Sequence, residues 1–168
     1  MSEPPFRRSA RGLLVDGDRI LLAQHRIADG GTVWVGPGGG VEADESLVEA
    51  LTRELHEETG LMLTEAHAPR LVWVQTVDLP ETHDQGYAGI VNYFFLVHSN
   101  AFEPASGVPV GTAGHPESEG IRDQRWWSLS EIDAACGEGV LFSPRDLRGL
   151  LRALSTGGPP EEPKAIGL

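Results

Sequence analysis

Cysteine occurs once in the 168 residues, at Cys136. No disulfide framework can form within the chain. A catalytic thiol is disfavoured as well, because Cys136 sits in a short helical stretch before Gly137 with no base partner nearby in sequence. Basic residues are scarce: 13 Lys and Arg stand against 25 Asp and Glu, a net charge of −12. That balance argues against a partner that is a nucleic-acid polymer, since such binding needs basic surface to neutralise phosphates. It leaves room for a small phosphorylated ligand, because a bound cation can invert the local sign. No apolar run approaches the roughly 18 residues of a membrane span, so no membrane partner is expected. The opening MSEPPFRRSA has no apolar core and does not read as a signal peptide. A cytoplasmic protein fits. The glycine run Gly36-Pro37-Gly38-Gly39-Gly40 lacks a following Gly-Lys-Ser/Thr and is not a Walker A loop. The histidines have no metal-ligand spacing.

What remains is one domain's length of chain with 40% apolar residues, well above a disordered composition. Residues 1–6 are expected to be loose, 7–155 to form the domain, and the Gly/Pro-rich residues 156–168 to be a disordered tail. Arg8–Val15 and Arg19–Ala23, joined by Gly17-Asp18, read as a hairpin, with Gln24-His25-Arg26 at the end of its second strand. Trp34 and Val35 make a short extended piece. Arg70–Val77 and Ile90–Val97 read as strands, the latter broken only by Asn92. Ser99–Asp123 is a long irregular segment of the kind that is usually functional or mobile. Trp126-Trp127 re-enters as a strand, and a short helix follows from Ser130, with Ser128 or Ser130 as cap. Ser143-Pro144-Arg145 predicts a cap with proline at the first helical position, and the last helix runs to about Leu154. Strands, helix, strands, helix is not a regular βα alternation, which disfavours a doubly wound sheet.

The most informative stretch is Gly39 to Leu61. Ser46–Thr59 has no glycine or proline and is rich in helix formers. Asp44 can cap it and Gly60 can end it. At about 100° per residue, Leu47, Val48, Leu51 and Leu55 share an apolar stripe, and Glu54, Glu57 and Glu58 fall on one arc beside it. Between Glu42 and Glu58 there are seven acids and, of Lys and Arg, only Arg53. Like charges at this spacing repel. A solvated acidic face is one reading; a cation that holds the carboxylates together is the other. Hard oxygen donors suit Mg²⁺ or Mn²⁺ rather than zinc.

From Gly39 the chain reads Gly, five residues, Glu45, seven residues, then Arg53-Glu54-Leu55-His56-Glu57-Glu58-Thr59-Gly60-Leu61. This resembles the complete Nudix box, matching at every fixed position. Trp34–Glu42 resembles the usual lead-in, and Arg125–Leu129 a late strand of that fold. The resemblance implies an α/β fold: an α/β/α sandwich around a mixed, curled sheet, with the box as a loop-helix-loop. It implies metal-dependent hydrolysis of a phosphoanhydride in a nucleoside diphosphate linked to another group. Glu54, Glu57, Glu58 and the Gly39 carbonyl are then the metal ligands, with Arg53 and Glu45 in support; Glu42 is either a further supporting residue or a solvated loop acid. Glu57 is favoured as general base, with Glu117 or Glu119 in the long loop as the alternative. The resemblance allows Arg26 to meet a substrate phosphate, with a surface guanidinium as the alternative. Trp34, Trp73, Tyr87, Trp126 and Trp127 are candidates for base stacking, with core packing as the alternative for each Trp and Tyr87 the freest of the set. His56 is expected to face solvent, and His115 to be an exposed loop residue.

The box does not identify the substrate. The reading leans to nucleoside triphosphates, because the chain is compact and shows no long N-terminal swapping region. ADP-ribose or a sugar nucleotide is the alternative. A sensor that binds a nucleotide without cleaving it is the rival class, disfavoured by the intact box, and a homodimer is left open.

Overall fold

The computed structural model describes residues 2–168. In chain order the elements are β1 (Phe6–Asp16), β2 (Arg19–Arg26), β3 (Thr32–Val35), β4 (Gly38–Gly40), α1 (Leu47–Thr59), β5 (Arg70–Asp78), β6 (Gly89–His98), β7 (Ile121–Ser128), α2 (Leu129–Gly137), β8 (Phe142–Ser143), α3 (Leu147–Gly157) and β9 (Lys164–Ile166). Among the described residues the strands form one nine-stranded sheet, ordered β8-β3-β2-β1-β6-β5-β9, with β4 added to β1 and β7 to β2. β1 runs parallel to β6, β3 to β8 and β5 to β9, and the other pairs are antiparallel, so the sheet is mixed.

The two-residue period of the strands divides the core into two layers. Leu13, Ile20, Leu22, Phe94 and Leu96 point to one face and pack with Ile132, Ala135, Leu147 and Leu151 of α2 and α3. Their neighbours Leu14, Leu21, Phe95 and Val97 point to the other and pack with Ala50, Leu51 and Leu55 of α1. Nearly unbroken apolar runs are what a sheet covered on both faces requires. The result is the expected helix–sheet–helix sandwich.

Helix α1 starts at a different cap from the expected one. The Ser46 hydroxyl accepts from the Glu49 amide at 3.1 Å, and the Glu49 carboxylate accepts from the Ser46 amide at 3.1 Å. This is a reciprocal capping box. Asp44 lies in the preceding turn with φ +64. Gly60 closes the helix as expected, with φ +81 and its amide donating to the His56 carbonyl. Val48 is 42% exposed, and Ala50 takes its place on the buried stripe. Leu51 and Leu55 are fully buried, each contributing about 1.5–3 kcal/mol of apolar burial. Ser128 caps α2 in a second capping box with Glu131. Asp146, rather than Ser143, occupies the N-cap of α3, leaving Pro144 in the turn before it.

Both ends of the chain carry more structure than composition predicts. Met1 lies outside the described residues, but Phe6 already belongs to β1 and the Pro5 carbonyl accepts from the Ala88 amide at 2.9 Å. The segment expected to be a disordered tail supplies β9, which pairs with Trp73–Gln75 of β5. Its anchor is polar. Ser9 donates to Asn92, Asn92 to the buried Gln75 at 3.0 Å, and Gln75 to the Gly167 carbonyl at 2.9 Å. Asn92, the one polar break in its run, is thus a link between β1 and the C-terminal strand. Among the described residues no helix is long and apolar enough to cross a membrane.

The capping geometry separates two substitutions. Ser46→Ala should lower stability by about 1 kcal/mol in urea unfolding, the usual loss for a side-chain cap, whereas Asp44→Gly, which removes the side chain and suits the left-handed backbone, should stay within about 0.5 kcal/mol of the parent.

Candidate active site

A cavity of about 490 Å³ opens where α1, the glycine turn and the first half of β1 meet. Two walls of opposite charge face across it. Glu54, Glu57 and Glu58 come from α1, one turn apart, while Arg7, Ser9 and Arg11 come from β1 at every second residue. The antiparallel pairing of β1 with β4 sets Ser9 opposite Gly40 and Arg11 opposite Gly38. Gly38–Gly40 form the floor, and Thr112, Ala113, Gly114 and Glu119 overhang from the long loop.

Arg53 organises the acid wall. Its guanidinium donates to the two Glu45 oxygens at 2.7 and 2.9 Å, to Glu54 at 2.8 Å and to the Gly40 carbonyl at 2.9 Å, and reaches Glu57 at 3.5 Å. These contacts hold Glu45 below the usual carboxylate range and raise the already high Arg53 pKa. Deeper in, burial dominates. It raises Glu54 despite Arg53 and pushes Glu58 up to about 8, with the Glu54 charge adding to the effect on Glu58. Glu58 accepts from the Gly38 amide at 3.0 Å. Glu57 keeps the most exposed carboxylate of the three, with its side chain 20% accessible against 11% for Glu54. A Cβ on Gly39 would lie 2.5 Å from a Glu54 oxygen, so a side chain there would displace that carboxylate.

The β1 wall was absent from the sequence reading. Arg11 donates to the Gly36 and Gly38 carbonyls at 3.4 and 3.1 Å, and burial lowers its pKa despite Glu58 and Glu54. His25 sits beside it in β2. Burial, then the Arg11 charge, hold His25 down to about 4, and its Nε2 is buried without a partner. The signal for this wall was the polar start Arg7-Arg8-Ser9-Ala10-Arg11 of a strand that is apolar further on, but only strand pairing brings Arg7, Ser9 and Arg11 to the glycine turn.

The long loop divides in two. Its first half straps the end of α1: the Ala105 amide donates to the Thr59 carbonyl at 3.0 Å, the Gly107 amide to His56 at 2.9 Å, and the Ser106 hydroxyl to Glu57 at 2.5 Å. Gln124 of β7 donates to the Glu58 carbonyl at 2.8 Å. The four carbonyls a helix leaves unsatisfied are therefore all taken. His56 lies beneath this strap with Nδ1 buried, not in solvent, and a Cβ on Gly107 would strike its ring. The second half, with the turn Pro116–Glu119, faces the cavity. Glu119 lines it; Glu117 does not, its amide donating to the half-buried His115 at 3.2 Å.

The remaining candidates lie elsewhere. Trp34 is 6% exposed and packs edge-on against Trp127 in the core, which large apolar area favours over a polar cleft. Trp73 is core too, and Trp126 packs on Phe102. Tyr87 and the exposed Arg26 are not among the cavity's lining residues; the Arg26 amide pairs with the Gly120 carbonyl instead.

Among the described residues no three His, Cys, Asp or Glu side chains already close on one ion position, because Glu54 and Glu57 lean on Arg53 and Glu58 on the Gly38 amide. The donor set nevertheless fits a hard divalent cation. It is all oxygen, a buried carboxylate as unfavourably placed as Glu58 would be relieved by a cation, and the bare Gly39 backbone lies against Glu54.

Residues 5–143 match the family model for the NUDIX domain. Phosphatase NudJ of Escherichia coli K12 is 40% identical over 120 residues, covering 71% of this chain and 67% of that protein. RNA pyrophosphohydrolase of Gluconacetobacter diazotrophicus is 37% identical over 83 residues, 45% of this chain. The match spans about half the length of that relative, 49%. Among solved structures, the chain is similar to a bifunctional NMN adenylyltransferase/ADP ribose pyrophosphatase of Francisella tularensis complexed with AMP and a manganese ion, with TM-score 0.58 and 25% identity over 90% of this chain and 41% of that one.

Two outcomes follow from this geometry. Gly39→Ala should displace the Glu54 carboxylate and weaken Mn²⁺ binding, read by electron paramagnetic resonance, by about tenfold or more, with the thermal midpoint little changed. His25 is held neutral in the folded chain, so below pH 6.5 the unfolded state takes up its proton first and stability falls as pH drops from 6.5 towards 4. His25→Gln should flatten that part of the stability–pH curve.

Proposed function

Because the chain belongs to the NUDIX domain family, we propose that it is a divalent-metal-dependent pyrophosphohydrolase. Water attacks a phosphoanhydride in a nucleoside diphosphate linked to another group. Nucleoside triphosphates, giving a nucleoside monophosphate and pyrophosphate, are preferred over ADP-ribose and sugar nucleotides. The observation that carries this reading is the pairing, inside one cavity, of a carboxylate wall from α1 with a guanidinium wall from β1. A polyphosphate is the ligand that can use both, through cations on one side and directly on the other.

Glu54, Glu57, Glu58 and the Gly39 carbonyl hold the metal, Mg²⁺ or Mn²⁺. The bound metal supplies a water of lowered pKa and neutralises charge on the anhydride oxygens. Glu57 is the general base: its carboxylate is the least buried of the three and faces the overhanging Gly114 backbone. A base must reach solvent-derived water, which the sealed Glu58 does less readily. Glu119, across the cavity, is the alternative base. Arg53 and Glu45 keep the carboxylates in register. The names of the curated relatives, a phosphatase and an RNA pyrophosphohydrolase, support phosphate chemistry without selecting a substrate.

The test is a panel of nucleoside triphosphates, ADP-ribose, dinucleoside polyphosphates and sugar nucleotides with Mg²⁺ or Mn²⁺, with products identified. Turnover should vanish with chelator. Glu57→Gln should lower kcat by about 10²–10⁴-fold with the fold intact, and Glu119→Gln by less than about fivefold. No turnover on any compound, together with tight binding of one of them, would replace the enzyme by a nucleotide sensor.

A further inference from the structure

Of the cavity's three arginines, two already have partners. Arg53 is committed to Glu45, Glu54 and the Gly40 carbonyl. Arg11 is committed to the Gly36 and Gly38 carbonyls. Arg7 is exposed, and among the described residues its guanidinium makes no ion pair and no hydrogen bond. Acids are not lacking, since Glu42, Glu54 and Glu57 line the same cavity. Gly40 leaves room for the guanidinium: a Cβ there would lie 2.7 Å from Arg7 Nη2. Arg53 grips the carbonyl of that same Gly40. Arg7 therefore marks the edge of the cavity, one residue along the turn from Gly39, with Ile90 as its β6 neighbour.

Arg7 and Arg11 lie four residues apart on one strand, so both side chains leave the same face. Two guanidiniums on one face repel unless an anion lies between or beyond them. A guanidinium with free donors, on a fixed strand and over a bare backbone, is a ready receptor for a phosphate oxygen pair. The carboxylate wall and its metal serve the anhydride that is cut. A triphosphate brings one more phosphate than that anhydride, whereas ADP-ribose and ADP-glucose bring an uncharged sugar.

We infer that Arg7 is a specificity-determining residue that receives the terminal phosphate of a nucleoside triphosphate, so that the cavity selects substrates with an anionic group beyond the anhydride. This rests on the pyrophosphohydrolase reading. Arg7 touches substrate only through that phosphate and takes no part in bond breaking.

The experiment compares wild type, Arg7→Gln and Arg7→Lys on nucleoside triphosphates and on ADP-ribose, the latter scored as substrate or as competitive inhibitor. Arg7→Gln should raise KM for triphosphates by about 10–100-fold, the loss of one charged hydrogen-bonding group, and leave kcat within about threefold. Arg7→Lys should recover part of the loss. ADP-ribose should change by less than about threefold. Equal losses on both substrates, or none on either, would overturn the assignment. A wild type that prefers ADP-ribose would overturn it while leaving the enzyme reading intact. If wild type turns over nothing, the enzyme reading fails. Arg7 is then judged by calorimetry with a non-hydrolysable triphosphate analogue, and unchanged affinity in Arg7→Gln rejects it.

Discussion

The Arg53 guanidinium is the contact on which the acidic face depends. It is the only Lys or Arg between Glu42 and Glu58, set against seven acids. Left to themselves, carboxylates at this spacing would splay apart. Arg53 instead ties the residue before the helix, Glu45, to two residues on it, Glu54 and Glu57, and to the glycine turn through the Gly40 carbonyl. Backbone geometry and charge are fixed by one planar group with several donors, which a lysine could not imitate. The partial burial of these partners matters: an ion pair in full solvent would contribute little, while here its removal would leave buried carboxylates uncompensated.

The sandwich supplies what Arg53 cannot. α1 is pressed to the sheet by Ala50, Leu51 and Leu55, and the adjacent arc of acids lines one cavity with Arg7, Ser9 and Arg11 of β1. β1 is the hub, pairing with β2, β4 and β6. Its C-terminal half is apolar and builds both core layers. Its N-terminal half keeps Ala10 in the core but gives Arg7, Ser9 and Arg11 to the cavity. One strand thus serves as core at one end and as cavity wall at the other, and the step between them falls near Gly12, whose amide donates to the Pro37 carbonyl at 2.7 Å.

Legibility followed contact range. The acids of α1 could be read because their convergence depends on local helical spacing. The long strands could be read because apolar runs of that length have few other uses. The β1 wall could not, since its approach to Gly38–Gly40 depends on a pairing between residues far apart in the chain. Asp44 and Ser46 are both good caps by type, and only the reciprocal bond with Glu49 decides for Ser46. Trp34 is a candidate by residue type and Tyr87 by its place in a polar loop; the first is core and the second lies off the cavity. β9 was hidden because Lys164–Ile166 is too short to show a period, and its anchor is Gln75, a residue with no special mark in sequence.

The strap at residues 105–107 bears on how such a protein can change over evolutionary time. Two of its three bonds to the end of α1 come from backbone amides, which do not depend on a particular side chain, although a side chain at position 107 would meet the His56 ring. The half of the loop that overhangs the cavity begins only after this anchorage. Mutations there alter what the cavity admits without loosening the helix that carries the acids. Innovation in ligand choice is thereby uncoupled from the integrity of the reactive centre, and a lineage can explore new substrates without first unmaking the machinery.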